Sequence, residues 1–153
     1  MDTWILVADS SRARLFAASQ RGKPWNLVDK FEHPETRERT VKINPKERGK
    51  QKQSFGFGSP AMESKTEPRQ VEKLHFAEEL ANRLDVGLRQ NEYGALVLVA
   101  SPQFLGDLKS KLDRQVMKCI TGAVDKDYTH LNERELAGRL EESVWGISAQ
   151  AQG

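Results

Sequence analysis

Between residues 37 and 57 the chain gathers Arg37, Arg39, Lys42, Lys46, Arg48, Lys50 and Lys52, then Phe55 and Phe57 on either side of Gly56. Only Glu38 and Glu47 oppose these cations, so residues 36–54 carry net +5. The whole chain is +2, which leaves the remainder at −3. Lys and Arg spaced along an irregular segment neutralise phosphates without reading sequence. Phenylalanines can stack on unpaired bases, and a glycine between them lets a backbone come close. The chemistry on offer is binding to a polyanion, RNA or the ribosome. Two plainer uses remain open: a solvated loop whose charges keep it soluble, and a contact for another anionic or protein partner. The two phenylalanines weigh against the solvated loop, because apolar side chains left in water are a liability unless they dock.

Catalytic patterns are thinner. A two-metal hydrolase needs several carboxylates converging on ions roughly 4 Å apart. Asp9 closes the first apolar run and is well placed for one, and Glu78 or Glu79 offers a second. The later run at 93–101 ends in Ala100-Ser101-Pro102 with no acid, and Asp125 and Asp127 fall in a turn. The expected role of Asp9 is therefore to cap the turn at Ser10-Ser11. His33, His75 and His130 are far apart, and Cys119 is the one cysteine, so neither zinc-ligand spacing nor an internal disulfide is available. His75 is expected beside an apolar stripe, packed or half-exposed. His130 is expected to bond a neighbouring acid or cap a helix end, and Cys119 to lie in or near a buried strand, as part of the core. Ser10 and Ser11 lack a Gly-x-Ser-x-Gly setting, and "GFGS" lacks the strand–turn–helix context of a dinucleotide site. No catalytic residue, metal or cofactor is assigned, and a non-enzymatic protein is expected.

The elements around these residues follow from periodicity. "TWILVA" (3–8) is a continuous apolar run, as in a strand buried on both faces. "ARLFAAS" (13–19) and "WNLVDKFEH" (25–33) read as two more strands joined by short turns, an antiparallel meander. In the third, Leu27, Asp29 and Phe31 fall on one side, with Trp25, Val28 and Lys30 less tidily on the other. Residues 34–67 show no sustained period. Connections of that length inside a compact domain are usually functional or disordered. Residues 67–90 form the clearest helix, with Pro68 at its start and Val71, Leu74, Ala77, Ala81, Leu84 and Leu88 as its apolar stripe. A doubly buried strand follows at 93–101. A helix at 101–113 opens on Ser101 as N-cap and Pro102, and a short strand follows near Ile120–Val124. A last helix over 131–146 starts with Asn132 and Glu135 at capping-box spacing.

The order β-β-β-(long loop)-α-β-α-β-α predicts an α/β protein in three layers around a mixed five-stranded sheet, the order of ribonuclease-H-like folds. With 153 residues, one domain over 1–153 is expected, interrupted by the basic loop at 34–67. "MDTWILVAD" reads as a strand rather than a signal peptide, and no apolar run approaches the ~20 residues of a membrane span. The expected location is the cytoplasm. Oligomeric state is not legible.

"VADSSRARLF", "FAEELANRL", "LVASPQFLGDLKSKL" and "DKDYTHLNERELAGRL" resemble the host-attachment protein family, bacterial proteins named as required for attachment to host cells. The resemblance covers roughly residues 3–145. More distantly, the layout is similar to the middle domain of archaeal and eukaryotic class-1 release factors and of their relative Pelota. That likeness implies a ribonuclease-H-like fold and a ribosome-associated scaffold. In release factors the loop after the third strand carries Gly-Gly-Gln and positions water for peptide release. Residues 34–67 stand in that place, but "RGKQKQ" (48–53) and "FGFG" (55–58) do not supply the motif. Three functions follow as expectations. The first is an RNA- or ribosome-associated module working through residues 37–57. The second is a protein-interaction factor acting indirectly in host attachment. The third is a metal-dependent hydrolase or nuclease, whose acids the chain does not visibly supply.

Overall fold

The structure is a computed structural model and describes residues 2–33 and 68–146. The basic segment, and with it every predicted contact residue from Arg37 to Phe57, lies outside the described residues.

Three strands open the chain: β1 (Thr3–Ala8), β2 (Arg12–Ala18) and β3 (Asn26–Glu32). Both joins are antiparallel. The turn between β1 and β2 is shaped by Asp9, whose backbone N–H donates to the Arg12 carbonyl at 2.9 Å. The next turn uses Gly22 at φ +88°, in the left-handed region that glycine enters at little cost. After residues 34–67 come helix α1 (Pro68–Arg89), strand β4 (Ala95–Val99), helix α2 (Pro102–Lys111), helix α3 (Arg114–Cys119) and strand β5 (Ile120–Val124). Helices α4 (Glu133–Arg139) and α5 (Glu141–Trp145) end the described chain. The sheet order is β3-β2-β1-β4-β5, with β4 parallel to both β1 and β5. The chain is thus an α/β protein with an open, mixed, five-stranded sheet and five helices among the described residues.

Alternation along the strands builds two cores. Trp4, Leu6, Ala8, Leu15, Leu96 and Leu98 face Phe76, Leu80 and Leu84 of α1, Phe104 and Leu108 of α2, and Val116 of α3. Ile5, Val7, Phe16, Val97 and Val99 face Leu136, Leu140 and Val144 of α4 and α5. β1 and β4 are covered on both sides, which is why they read as continuous apolar runs.

Several local expectations need correcting. The sidedness of β3 fails because the β2–β3 register shifts. Leu15 pairs with Asp29 and Phe16 with Leu27, leaving Val28 as an inserted residue. Val28 and Phe31 therefore pack on the same core, while Leu27 is 51% exposed. The buried stripe of α1 runs through Phe76, Ala77, Leu80, Ala81 and Leu84, and Val71, Leu74 and Leu88 are only partly buried. Residues 114–119 are helical, because Asp113 caps α3 by accepting from the Gln115 N–H at 2.9 Å. Cys119 ends α3 immediately before β5 and packs, partly buried, against the core, near the strand as expected; its thiol donates to the Gln115 carbonyl at 3.5 Å. The single helix at 131–146 is two, divided at Leu140 (φ −104°, ψ 11°). The capping box of Asn132 and Glu135 is present in both directions. Ser101 is an N-cap by backbone conformation, but its side chain makes no capping hydrogen bond.

Helix α1 ends in a Schellman arrangement. Glu92 N–H donates to the Gly87 carbonyl and Asn91 N–H to the Leu88 carbonyl, with Asn91 at φ 58°. That reversal lays Tyr93 on Trp4, ring centroids 4.5 Å apart, and aims the Tyr93 hydroxyl at the Leu84 carbonyl at 2.7 Å. Among the described residues no helix is long and apolar enough to cross a membrane.

Candidate functional site

The sheet order brings one set of chain ends to a common edge. β1 ends at Ala8, β3 at Glu32, β4 at Val99 and β5 at Val124. α1 and α2 begin there, because each helix runs back down the sheet to the next strand. Ligands of open α/β sheets bind at the carboxyl ends of the strands. Here that edge holds a cleft of about 260 Å³ lined by Asp9, Ser10, Ser11, Lys73, Ser101, Gln103, Phe104, Asp107 and Asp127.

Asp9 works as a turn cap. Its Oδ1 accepts from the Ser11 and Arg12 backbone N–H groups at 2.8 and 2.9 Å and from the Ser11 hydroxyl at 3.3 Å. Its Oδ2 accepts from Arg12 Nε at 3.3 Å and Thr129 Oγ1 at 3.4 Å. The expected capping role holds, and both oxygens are engaged. Asp127 also builds a turn, accepting from Thr129 N–H at 3.0 Å and Thr129 Oγ1 at 2.6 Å. Partial burial pushes its carboxyl up, but the two Thr129 hydrogen bonds and the charges of His130 and Arg12 outweigh it and hold it below the ordinary value. His130 reaches Asp127 only through its charge; among the described residues it makes neither the expected hydrogen bond to an acid nor a helix cap, since Asn132 caps α4. Arg14 pins the same loop to β2: its Nη2 donates to the carbonyls of Thr129 at 2.9 Å and Leu131 at 2.8 Å. Burial first, then the Arg12 charge, lowers the Arg14 pKa, and Glu133 opposes them.

The other weighed acids do not join Asp9. Glu78 and Glu79 are exposed on α1 and line neither this cleft nor any metal cluster. Asp125 stands outside the lining, too. Among the described residues no three His, Cys, Asp or Glu side chains are placed to hold a metal ion. Asp107 and Lys73 were not singled out from the sequence. Asp107 lies four residues beyond Gln103 and three beyond Phe104, so α2 turns all three to the cleft. Its Oδ2 is shielded from solvent and makes no hydrogen bond among the described residues. Each lies on a helix whose approach to β1 is a tertiary event, and no local pattern marks either.

The same edge is where residues 34–67 leave and rejoin the fold. His33 N–H donates to the Ser11 carbonyl at 2.8 Å, next to the cleft. His33 Nε2 lies 2.9 Å from Glu72 Oε1, His33 Nδ1 lies 3.8 Å from Glu79 Oε1, and the His33 ring stacks on Phe76 at 5.3 Å. His75 stands beside Glu72 at 3.6 Å and is largely exposed. The three histidines therefore do not assemble: His33 and His75 flank Glu72, and His130 lies across the edge.

No curated protein matches the chain. A family model described as "Protein required for attachment to host cells" matches residues 4–140, from β1 to the break between α4 and α5. With nearly all of the described fold inside that match, the chain belongs to the family of proteins required for attachment to host cells.

Proposed function

We propose that this host-attachment family protein is a non-enzymatic, RNA- or ribosome-associated module of the cytoplasm that grips phosphate through residues 37–57. One observation carries the reading. A segment of net +5 leaves and re-enters the fold at the carboxyl edge of the sheet, its two ends drawn together by His33 and Glu72. The strand order β3-β2-β1-β4-β5, with three antiparallel strands and two parallel additions, supports a ribonuclease-H-like arrangement. In that arrangement the segment occupies the place where the release-factor middle domain, to which the layout is similar, carries its working loop. Lys46, Arg48, Lys50 and Lys52 meet phosphates in this reading, with Arg37, Arg39 and Lys42 extending the surface. Phe55 and Phe57 stack or dock. Replacing the four central cations by Ala lowers the slope of log affinity for single-stranded RNA against log salt by about 3 units, since each phosphate contact on a single strand is worth ~0.7. Absence of any RNA or ribosome binding by the parent protein at low salt ends the proposal.

The family's description favours a second reading, a protein-interaction factor that acts indirectly in attachment. Crosslinking from cells separates the two: RNA recovered through residues 37–57 supports the first, and a protein partner the second. A metal-dependent hydrolase has the least support, because both oxygens of Asp9 are spent on the turn. Metal-dependent RNA hydrolysis lost in Asp9→Asn would restore it.

A further inference from the structure

A second cleft lies away from the carboxyl edge. Its volume is about 600 Å³, within the range of small-ligand pockets. One wall is the β2–β3 turn with Arg21, Lys23 and Trp25; the other is the outward face of α4 and α5, with Arg134, Gly138, Glu141 and Trp145. Glu133 and Ala137 complete the helical wall.

Three features of this lining belong together. The first is Gly138. It sits inside a seven-residue helix, where glycine costs roughly 1 kcal/mol relative to alanine. Its φ is not positive, and a Cβ built there would meet no atom within 4 Å. Neither the backbone nor the packing of the described residues demands a glycine. What its missing side chain provides is a flat stretch of helix open to the cleft, where an occupant can lie against the backbone.

The second feature is the cations. Lys23 and Arg134 make no ion pair among the described residues. Arg21 pairs with Glu141 at 3.1 Å, but both side chains are about half exposed, and a pair of that kind holds its partner weakly. Three positive groups are thus open to an anion. The third feature is the company they keep. Trp145 is partly exposed and supplies ring surface, Trp25 lines the cleft but is buried in the core, and Glu133 and Glu141 supply carboxylates at the same cleft. The carboxylates would repel a bare polyanion. They suit a ligand that is anionic at one end and carries hydroxyl or amino donors at the other.

We propose that this cleft binds a nucleoside phosphate, its phosphate on Arg21, Lys23 and Arg134, its ring against Trp145 over Gly138, and its sugar or base donors on Glu133 and Glu141. The lining shares no residue with 37–57, so the proposal does not rest on RNA association through that segment. The test is titration of the full chain with ADP, GDP, CDP and UDP, followed by tryptophan fluorescence and by calorimetry. Saturable binding of at least one is expected, weakened about tenfold or more in Arg134→Ala, as for loss of one charge-assisted hydrogen bond. Gly138→Leu fills the cleft without touching the core and is expected to abolish binding while the thermal midpoint is kept or raised. Inorganic phosphate alone is expected to bind far more weakly. No saturable binding at millimolar nucleotide overturns the proposal, and so does unchanged binding in folded Gly138→Leu. Phosphate binding as tight as nucleotide also overturns it, as it would reduce the site to a simple anion contact.

Discussion

His33 Nε2 approaches Glu72 Oε1 to 2.9 Å, tying the last residue described before the basic segment to the second turn of the helix after it. Both side chains are largely buried, about 15% exposed, so the contact is shielded from bulk water. Glu72→Ala is expected to cost about 1.5–3 kcal/mol, the range for a hydrogen bond to a charged group. Urea unfolding measures it. A cost near zero would mean that the two ends are held by other contacts.

Gly87 is a different kind of glycine from Gly138. A Cβ at position 87 would lie 2.5 Å from the Trp4 ring and 3.2 Å from the Tyr93 ring. Gly87→Ala gains up to ~1 kcal/mol of helix propensity but forces the Trp4–Tyr93 stack apart. Overpacking of this type costs typically ~1–3 kcal/mol, so a net loss of stability is expected. Thermal unfolding reads the loss, and a shift in Trp4 emission locates it. Gly138→Ala, with open space around it, is expected to stabilise.

Arg14 donates two hydrogen bonds to backbone carbonyls 115 and 117 residues away in sequence. Arg14→Ala leaves the Thr129 and Leu131 carbonyls without that donor. The expected cost is about 2–3 kcal/mol, with faster amide exchange from Asp127 to Asn132. Arg14→Lys recovers only part of it, because the ammonium sits on a shorter, more flexible stem than the rigid guanidinium whose Nη2 holds both donors in place.

Asp127 gives the edge a pH dependence of definite sign. Its carboxyl is held below the ordinary 3.8, so the folded protein releases that proton more readily than the unfolded chain. The contribution is fully present above 3.8 and is lost as pH falls toward the lower folded value. Asp127→Asn is therefore expected to flatten the acid limb of the stability curve and to leave neutral stability slightly lower. Denaturant midpoints below pH 5 test this.

Where the chain obeys a single period, its structure is legible. β1 and β4 are short apolar runs, α1 repeats apolar residues over 22 positions, and the capping box names the start of α4. Legibility ends where a neighbour decides. Val28 cannot be recognised as an inserted residue until β2 is laid beside it. α3 has six residues, too few to show a period, and only Asp113 hints at its start. Leu136, Leu140 and Val144 share one face with the spacing of an unbroken helix, so nothing in the pattern announces the break at Leu140. Asp9 was readable because its turn partners are two and three residues away. Lys73 and Asp107 reach the same cleft from separate helices, and nothing local announces them. The contact residues predicted in the basic segment lie outside the described residues.

The junction at His33 and Glu72 separates two evolutionary accounts. The strands and helices answer to packing, where a methylene more or less is felt. His33 and Glu72, on either side of residues 34–67, are in contact, and the closure entropy of a connection between neighbouring points grows only slowly with its length, ~0.6 kcal/mol per doubling. Relatives can therefore lengthen, shorten or recharge this excursion without renegotiating the architecture beneath it. Diversity within the family should accumulate there first, as substitutions and indels between two nearly invariant anchor points.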